Sequence, residues 1–481
     1  MRDQARKGEG TLARRPKPPN ILLVCTDDHG AWALGCSGNA ELRTPSIDHL
    51  ARTGTRLVNA FTPCPVCSPA RASLLTGLLP SQHGIHDWLA WREADAWHPG
   101  LRARTTLPVL LRQAGYRTGL VGKWHCGHDP EPQLGFDRWC TYWNRQVPHF
   151  GQHEFSDQGR RVTWHGHQAP FFTEQAIAWL RERAYEHPFF LMVGYVCPHT
   201  PLADQPARLV TSYQHATFGD IPEESLPACH GRPRTERHHR FGVRTGQRGE
   251  AAQYYAAVSF VDEQVGRLLD ELDALGLTED TLCVYTADHG CMVGHHGVLG
   301  KGNATHPQNF LEEAIRVPCL FSWPAGLPAG TSHTALVDHL DLFATLAEVA
   351  GVPVPVLALL DPERPGRSYL PVLQGHAVPW RQVQFCEYGN ARMVRDSRYK
   401  LIRRYPGPNG RFADELYDLA ADGRECVNRL GDPALAPVVG RLSAALDAQF
   451  LRYEDPRLSG KEVGALPRCN GAEPWWFAAE G

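Results

Sequence analysis

The stretch ILLVCTDDHG, Ile21–Gly30, passes within a few residues from an unbroken apolar run to two adjacent carboxylates, an imidazole and a glycine. Five apolar residues bounded this way read as a strand buried on both faces. The acidic end cannot continue into the core, so it marks where the strand leaves it. The same change recurs far along the chain in TLCVYTADHG, Thr281–Gly290. Between the two, YRTGLV runs into Gly122-Lys123-Trp124-His125, and FFLMVGYV runs into Cys197-Pro198-His199-Thr200-Pro201. In open sheets the ligand crevice lies beyond the carboxyl ends of the strands. Four separate polar clusters are therefore expected to converge.

Helical patterns alternate with these strands. Tyr254, Val258, Val261, Val265, Leu268 and Leu272 recur at three- and four-residue steps, predicting a helix over residues 250–275 stopped by Gly276. Shorter amphipathic pieces fall near 45–53, 105–114, 173–184 and 338–350. The alternation predicts an α/β sandwich around a large, mostly parallel sheet. After residue 375 the pattern changes. MVRDSRYKLIRRY, Met393–Tyr405, reads as two strands around an Asp-Ser turn, and ELYDL, Glu415–Leu419, follows. The expected division is an N-terminal extension over 1–19, a catalytic α/β domain over 20–375 and a smaller C-terminal α+β domain with an antiparallel sheet over 376–481. Residues 203–249, rich in Pro, Arg and His, read as a surface excursion more readily than as a substrate-facing loop.

Composition narrows the function classes. The 481 residues are 42% hydrophobic and 21% charged with a formal charge of −3, which gives no general attraction to nucleic acid or to an anionic membrane. No run approaches a membrane span, and the first twenty residues are basic without the apolar stretch of a secretory signal. The expectation is a cytoplasmic protein whose fourteen cysteines are reduced.

One thiol stands out. In PVCSPARASLLTG, Pro65–Gly77, Cys67 precedes Ser68-Pro69 at a helix start. Pro69 suits a first turn, and Ser68 is the expected cap. Cys67 would then meet the positive helix end, with Arg71 one turn along. Cys64 and Cys67 also make a C-x-x-C, but no second pair completes a structural zinc site, and redox chemistry accounts for neither Arg71 nor the acidic strand ends.

Cys67-Ser68-Pro69-Ala70-Arg71 followed by Thr76-Gly77 fits the sulfatase signature C-x-P-x-R-x-x-x-x-T-G, and GYRTGLVGKWHCG, Gly115–Gly127, resembles that family's second signature. TDDHG, PHTP, TADHG, Gly300-Lys301 and ELYDL follow in the family's order, covering the chain from Asn20 to about Leu430. The resemblance implies the alkaline phosphatase-like fold. It also implies that Cys67 is oxidised by a separate maturation enzyme to Cα-formylglycine, whose hydrated form attacks sulfur and later expels sulfate. By the same carry-over, Asp27, Asp28, Asp288 and His289, with residue 67 alongside, hold one divalent cation, calcium first and magnesium or manganese next. His289 stands where many relatives carry Asn, and a nitrogen ligand suits calcium less well. Arg71 and Lys123 would hold the nucleophile and His125 would steady it. Lys301 and His199 would bind sulfate, with His199 protonating the leaving oxygen.

Taken singly, an Asp pair is a turn, a lysine is solvated and a histidine is a satisfied core residue; their shared position at strand ends reverses that preference. The expected activity is hydrolysis of sulfate monoesters of a carbohydrate or other small alcohol. The related phosphonate monoester hydrolases and phosphodiesterases are the enzyme alternative, and a binding protein with an unmodified thiol is the non-enzyme one. His83–Arg92 is expected to influence specificity and Trp475-Trp476-Phe477 to pack or line a sugar site. A homo-oligomer is compatible with the sequence.

Overall fold

The computed structural model describes residues 18–89, 101, 104–133, 135–143, 148–183, 187–234, 248–352, 356, 364–407 and 410–470. Trp475-Trp476-Phe477, the first seventeen residues, and Ala90, Trp91 and Arg92 of the expected specificity stretch lie outside them.

Ten strands make the main sheet. In chain order they are β1 Asn20–Thr26, β2 Thr55–Leu57, β3 Arg117–Gly122, β4 Arg138–Tyr142, β5 Phe150–Asp157, β6 Arg160–His167, β7 Phe189–Gly194, β8 Thr281–Ala287, β9 Cys319–Ser322 and β10 Thr331–His333. Their spatial order is β10-β2-β9-β8-β1-β7-β3-β4-β5-β6. The five central strands β8-β1-β7-β3-β4 are mutually parallel, and antiparallel pairs flank them. The mostly parallel sheet agrees with the sequence expectation.

Strand β1 shows why its run carries no polar alternation. Ile21, Leu23 and Cys25 pack on one face against Ala72, Leu74 and Leu75 of helix α1, Cys67–Thr76, and against Leu342 and Leu346. Leu22 and Val24 pack on the other face against Val261, Val265 and Leu268 of helix α2, Arg248–Ala274. Covered on both sides, each such side chain contributes roughly 1.5–3 kcal/mol relative to exposure. Helix α2 ends just before Gly276, whose φ of +66° is the left-handed turn the sequence placed there. The other expected helices form at Pro45–Thr53, Leu107–Gln113, Gln168–Arg183 and His339–Val349.

A four-stranded antiparallel meander follows: β11 Gln384–Tyr388, β12 Ala391–Arg395, β13 Tyr399–Arg404 and β14 Glu415–Asp418. Helix α3, Ala436–Tyr453, covers it by packing Leu442, Leu446 and Phe450 against Val394, Leu401 and Leu416. Residues 203–234 are mostly exposed or half-buried, as a surface excursion should be, but are anchored at a few points. His230 is buried and hydrogen-bonds Glu425 O at 2.7 Å, and Arg232-Pro233 pairs with Thr305-His306. The remainder of that segment to residue 247 lies outside the described residues. No described helix is long and apolar enough to cross a membrane.

Candidate active site

The four polar clusters meet because their strands are neighbours. Asp27-Asp28 leaves β1, Asp288-His289 leaves the adjacent β8, His199 follows β7 and Lys123 follows β3. Gly122 lets the last of these turn inward. Its φ is +111°, and a Cβ there would stand 2.0 Å from Gly194 O, so no other residue fits without moving β7. Asp28 and His125 also hold positive φ, 61° and 59°. Non-glycine residues kept in that region are uncommon and collect at functional sites.

Cys67 is the first residue of α1, and Gly77 closes that helix in a left-handed turn. The expected cap does not form. Val66 occupies that position without a side-chain bond, and Ser68 Oγ instead accepts the Leu89 N–H at 2.9 Å. Ser68 is thus used to fasten the following loop. The two halves of the C-x-x-C also part company: Cys64 packs in an apolar cluster with Phe61, Val66 and Tyr388, whereas Cys67 turns to the polar one. None of the fourteen cysteines forms a disulfide among the described residues.

Around Cys67 Sγ lie Lys301 Nζ at 3.0 Å, His289 Nε2 at 3.2 Å and Asp27 Oδ1 at 3.5 Å. Lys301 Nζ also donates to Asp28 Oδ1 at 2.8 Å, and Lys123 Nζ donates to Asp27 Oδ2. Arg71, wholly buried, donates from Nε to Asp288 Oδ2 at 2.8 Å and from Nη1 to Lys123 O at 3.2 Å. Its Nη2 has no hydrogen-bond partner among the described residues. His289 Nδ1 faces Gly290 O at 3.0 Å and donates its proton there, while Nε2 points inward at Cys67 Sγ. His125 Nε2 stands 3.2 Å from Leu89 O.

These contacts set the charges. Burial alone would raise the Cys67 thiol, but Lys123, Lys301, His289 and a hydrogen bond with His125 pull it well below its ordinary range. Asp27 is likewise buried, yet Lys123, His199 and Lys301 hold it below the usual carboxylate range. Asp288 is pushed up to about 6 by burial and by Asp27 beside it, against the pull of His289 and Arg71. Burial disfavours the His289 cation, but Asp288 and Cys67 outweigh it and raise the imidazole to about 9.

Ligand atoms of Asp27, Cys67, Asp288 and His289 lie within 4.8 Å of one another, as do those of Asp27, Asp28 and His199. Three carboxylates converging with one imidazole are a donor set for a divalent cation. Exposure orders the site: Asp27, Asp288 and His289 are fully buried, whereas the side chains of Lys301 and His199 retain 9% and 12% and form its mouth. His199 Nδ1 bonds Thr200 O, leaving Nε2 to face Asp28 Oδ2 at 3.8 Å. All the expected site residues are therefore gathered in one cluster.

Residues 19–352 match the model of the family described as sulfatase. The chain belongs to the sulfatase family. Residues 306–451 of this sulfatase also match the family described as N-sulphoglucosamine sulphohydrolase, C-terminal. It is 27% identical to an N-acetylglucosamine-6-O-sulfatase of Bacteroides thetaiotaomicron over 93% of this chain and 89% of that protein. A structure solved in complex with its substrate D-glucosamine-2-N,6-O-disulfate superposes with a TM-score of 0.72 at 26% identity, covering 92% of this chain and 99% of the other. The phosphonate monoester hydrolase of Agrobacterium radiobacter shares the fold at 21% identity and a TM-score of 0.70, covering 90% and 96%. The sulfatase is a sulfuric ester hydrolase with the alkaline phosphatase-like architecture.

Sequence reasoning missed the residues that hold these loops. Tyr254 Oη donates to Asp28 O at 2.9 Å and accepts from the Gly30 N–H at 3.3 Å, bracing the acidic turn. Asn309 Nδ2 donates to Lys301 O at 3.1 Å. Neither leaves a local signal, since Tyr254 reads as one more apolar position of α2. His29, left without a role by the sequence, bonds Tyr285 Oη at 2.8 Å and Ala33 O at 2.9 Å as a core histidine. The expected specificity stretch is largely internal: His83, His86, Asp87 and Leu89 are all buried, and Asp87 accepts from Tyr388 Oη at 2.9 Å.

Proposed function

We propose that this sulfatase hydrolyses a sulfate monoester of a carbohydrate, with a hexosamine 6-sulfate as the favoured class, using Cys67 after its conversion to Cα-formylglycine. The observation that carries the reading is the position of Cys67. It starts a helix inside a buried ring of carboxylates and cations, with Lys301, His289 and Asp27 all within 3.5 Å. The substrate class is drawn from the relatives named for N-acetylglucosamine-6-O-sulfate and bound to a glucosamine disulfate.

Asp27, Asp28, Asp288 and His289 would hold one divalent cation, calcium first, which would polarise sulfate and the nucleophile. The modified residue 67 would supply a hydrated aldehyde as an oxygen nucleophile in place of the thiol. Lys123 and Arg71 keep that oxygen next to Asp27 and Asp288, and Arg71 Nη2, 4.0 Å from Asp27 Oδ2 and without a hydrogen bond among the described residues, is a donor in reserve for it. Lys301 and His199, at the mouth, receive the sulfate oxygens. His199 Nε2 is the atom placed to give a proton to the leaving alcohol, a step worth roughly 10²- to 10⁴-fold for a poor leaving group. Exchanging a thiolate for a neutral nucleophile and adding a dication shifts the pocket toward positive charge, which favours an anionic substrate. We also take residues 20–375 as the catalytic unit and 376–481 as its smaller companion.

The test is release of inorganic sulfate from a panel of sulfated mono- and disaccharides by protein matured with a formylglycine-generating enzyme. Turnover of a hexosamine 6-sulfate, together with a residue-67 peptide about 18 Da lighter than cysteine, supports the reading. Faster turnover of an aryl phosphonate monoester than of any sulfate ester assigns the site to phosphonate chemistry instead.

A further inference from the structure

A second set of donor atoms lies behind the His199 loop. His149 immediately precedes β5, and His167 ends β6, so the hairpin brings the two rings together with centroids 5.7 Å apart. The loop leaving β7 brings Cys197 and, farther on, Gln205. All four side chains are buried, with relative exposures of 0%, 8%, 1% and 6% in the order named.

Their geometry is that of a small polyhedron. Cys197 Sγ is 3.2 Å from His149 Nδ1, 3.9 Å from His167 Nε2 and 3.9 Å from Gln205 Oε1, and His167 Nε2 is 3.4 Å from Gln205 Oε1. The sulfur and the two nitrogens all lie within 4.8 Å of one another. Tetrahedral zinc, with bonds of about 2.3 Å to sulfur and about 2.0–2.2 Å to nitrogen or oxygen, sets neighbouring donors about 3.4–3.6 Å apart. The four measured edges bracket that spacing. The ring orientation of His149 is also correct: Nε2 stands 2.7 Å from His199 O, so it carries the proton, and Nδ1 turns its lone pair to the centre, with Gln168 Nε2 at 3.5 Å as its one competing donor among the described residues besides Cys197. Gln205 Nε2 is buried without a partner among the described residues, which leaves its amide held through the oxygen alone.

We propose that His149, His167, Cys197 and Gln205 form a tetrahedral zinc site, separate from the cation site at Asp27 and Asp288. The chemistry of the two sets differs. One is mostly hard carboxylate oxygen, whereas the other offers a sulfur and two imidazole nitrogens, which favour zinc over calcium or magnesium. The step balances without any change of oxidation state. As the residues stand, the Cys197 S–H faces His149 Nδ1, and His167 Nδ1 accepts the Ala169 N–H at 3.2 Å, so its proton sits on Nε2 toward Gln205. Zinc uptake exchanges the waters bound to the aqueous ion for one Zn–S, two Zn–N and one Zn–O bond, and the Gln168 Nε2 contact to His149 Nδ1 opens. The thiol proton passes to solvent, and the His167 proton moves from Nε2 to Nδ1 with loss of the Ala169 bond. Through His149 Nε2 and His199 O, the ion would tie the catalytic-loop backbone to the β5–β6 hairpin.

Cobalt reports on such a site because thiolate ligation gives a charge-transfer absorption that oxygen ligands do not. Full-length Cys67→Ala protein, in which residue 67 offers no sulfur, is dialysed against chelator and titrated with Co²⁺ and then Zn²⁺. The expected result is a charge-transfer band saturating at one cobalt per chain and displaced by one zinc. That band persists when Asp288→Asn is added and disappears when Cys197→Ser is added. Saturating cobalt without a charge-transfer band in Cys67→Ala overturns the site whether or not the Cys197→Ser protein folds. A band that survives Cys197→Ser overturns it as well.

Discussion

Two regions of this molecule draw clusters of charge into the interior, and they do so by different rules. In the crevice, Asp27, Asp28 and Asp288 converge on one another, and the basic groups around them are shared. Lys301 serves both Asp28 and Cys67. At the junction with the small sheet, Arg404 Nη2 pairs with Glu415 Oε1 at 2.6 Å, and Lys400 Nζ stands 2.7 Å from Glu312 Oε1, 2.7 Å from Glu425 Oε1 and 2.8 Å from Phe310 O. Each buried cation there faces an acid, and Lys400 stands between two of them. Buried charge alone therefore does not mark function. Three carboxylates converging on one point are the stronger mark, because they cost folding energy unless a ligand of opposite sign is bound.

The comparison breaks most sharply at Cys67. Cys67→Ala is expected to lower sulfate release by about 10⁴-fold or more while leaving the circular dichroism spectrum and thermal midpoint near those of the parent. Near-normal turnover in that variant would falsify the nucleophile assignment. His199→Ala separates two roles at the mouth of the crevice. A sugar alkoxide needs a proton to leave, so its turnover should fall about 10²- to 10⁴-fold, whereas an activated aryl sulfate should lose much less. Equal losses on both substrates would show that His199 binds sulfate without protonating the leaving group.

The crevice was the legible part of the chain. Its strands are apolar on both faces and end in charge, so Ile21–Gly30 and Thr281–Gly290 announce both the sheet and the site. The flanks of the sheet were not legible. Strand β2 is three residues long, and β5 and β6 carry Gln, His, Glu and Arg on half-exposed faces, so neither length nor apolar alternation marks them. Ser68 misled because Ser-Pro before a helix has the chemistry of a cap, while the hydroxyl is claimed by Leu89, twenty-one residues on. Nothing local encodes such a distant partner. The paired network around Lys400 was invisible for the same reason, since Glu312, Glu425 and Lys400 come from three distant segments.

That network should behave unlike the crevice when cut. Lys400→Met strands Glu312 and Glu425 in the interior. Breaking a buried pair from one side costs about 3–5 kcal/mol, read as a lower thermal unfolding midpoint. Turnover per folded molecule should stay close to that of the parent, because Lys400 touches none of the reacting groups. A large fall in kcat with an unchanged midpoint would show that the network acts on the crevice rather than on the fold.

The smallest effect is a change of slope with pH at Glu425. Burial raises its carboxyl to about 7 despite the pull of Lys400, with Glu312 adding repulsion. Glu312, although buried, has both Lys400 and Arg395 and is held below its ordinary range. The two acids share one lysine, and only Glu312 has the second cation, so Glu425 is the acid that takes the proton. A group raised in the folded state contributes stability that is complete below its unfolded value, near 4.5, and is lost as pH rises through about 7. Glu425→Gln removes this dependence. Plotted against pH, the stability of the parent minus that of the variant should therefore decline between about pH 4.5 and 7 and level off above. A difference that rises across that window would mean that Lys400 holds Glu425 ionised and that the repulsion between the two acids is fully screened.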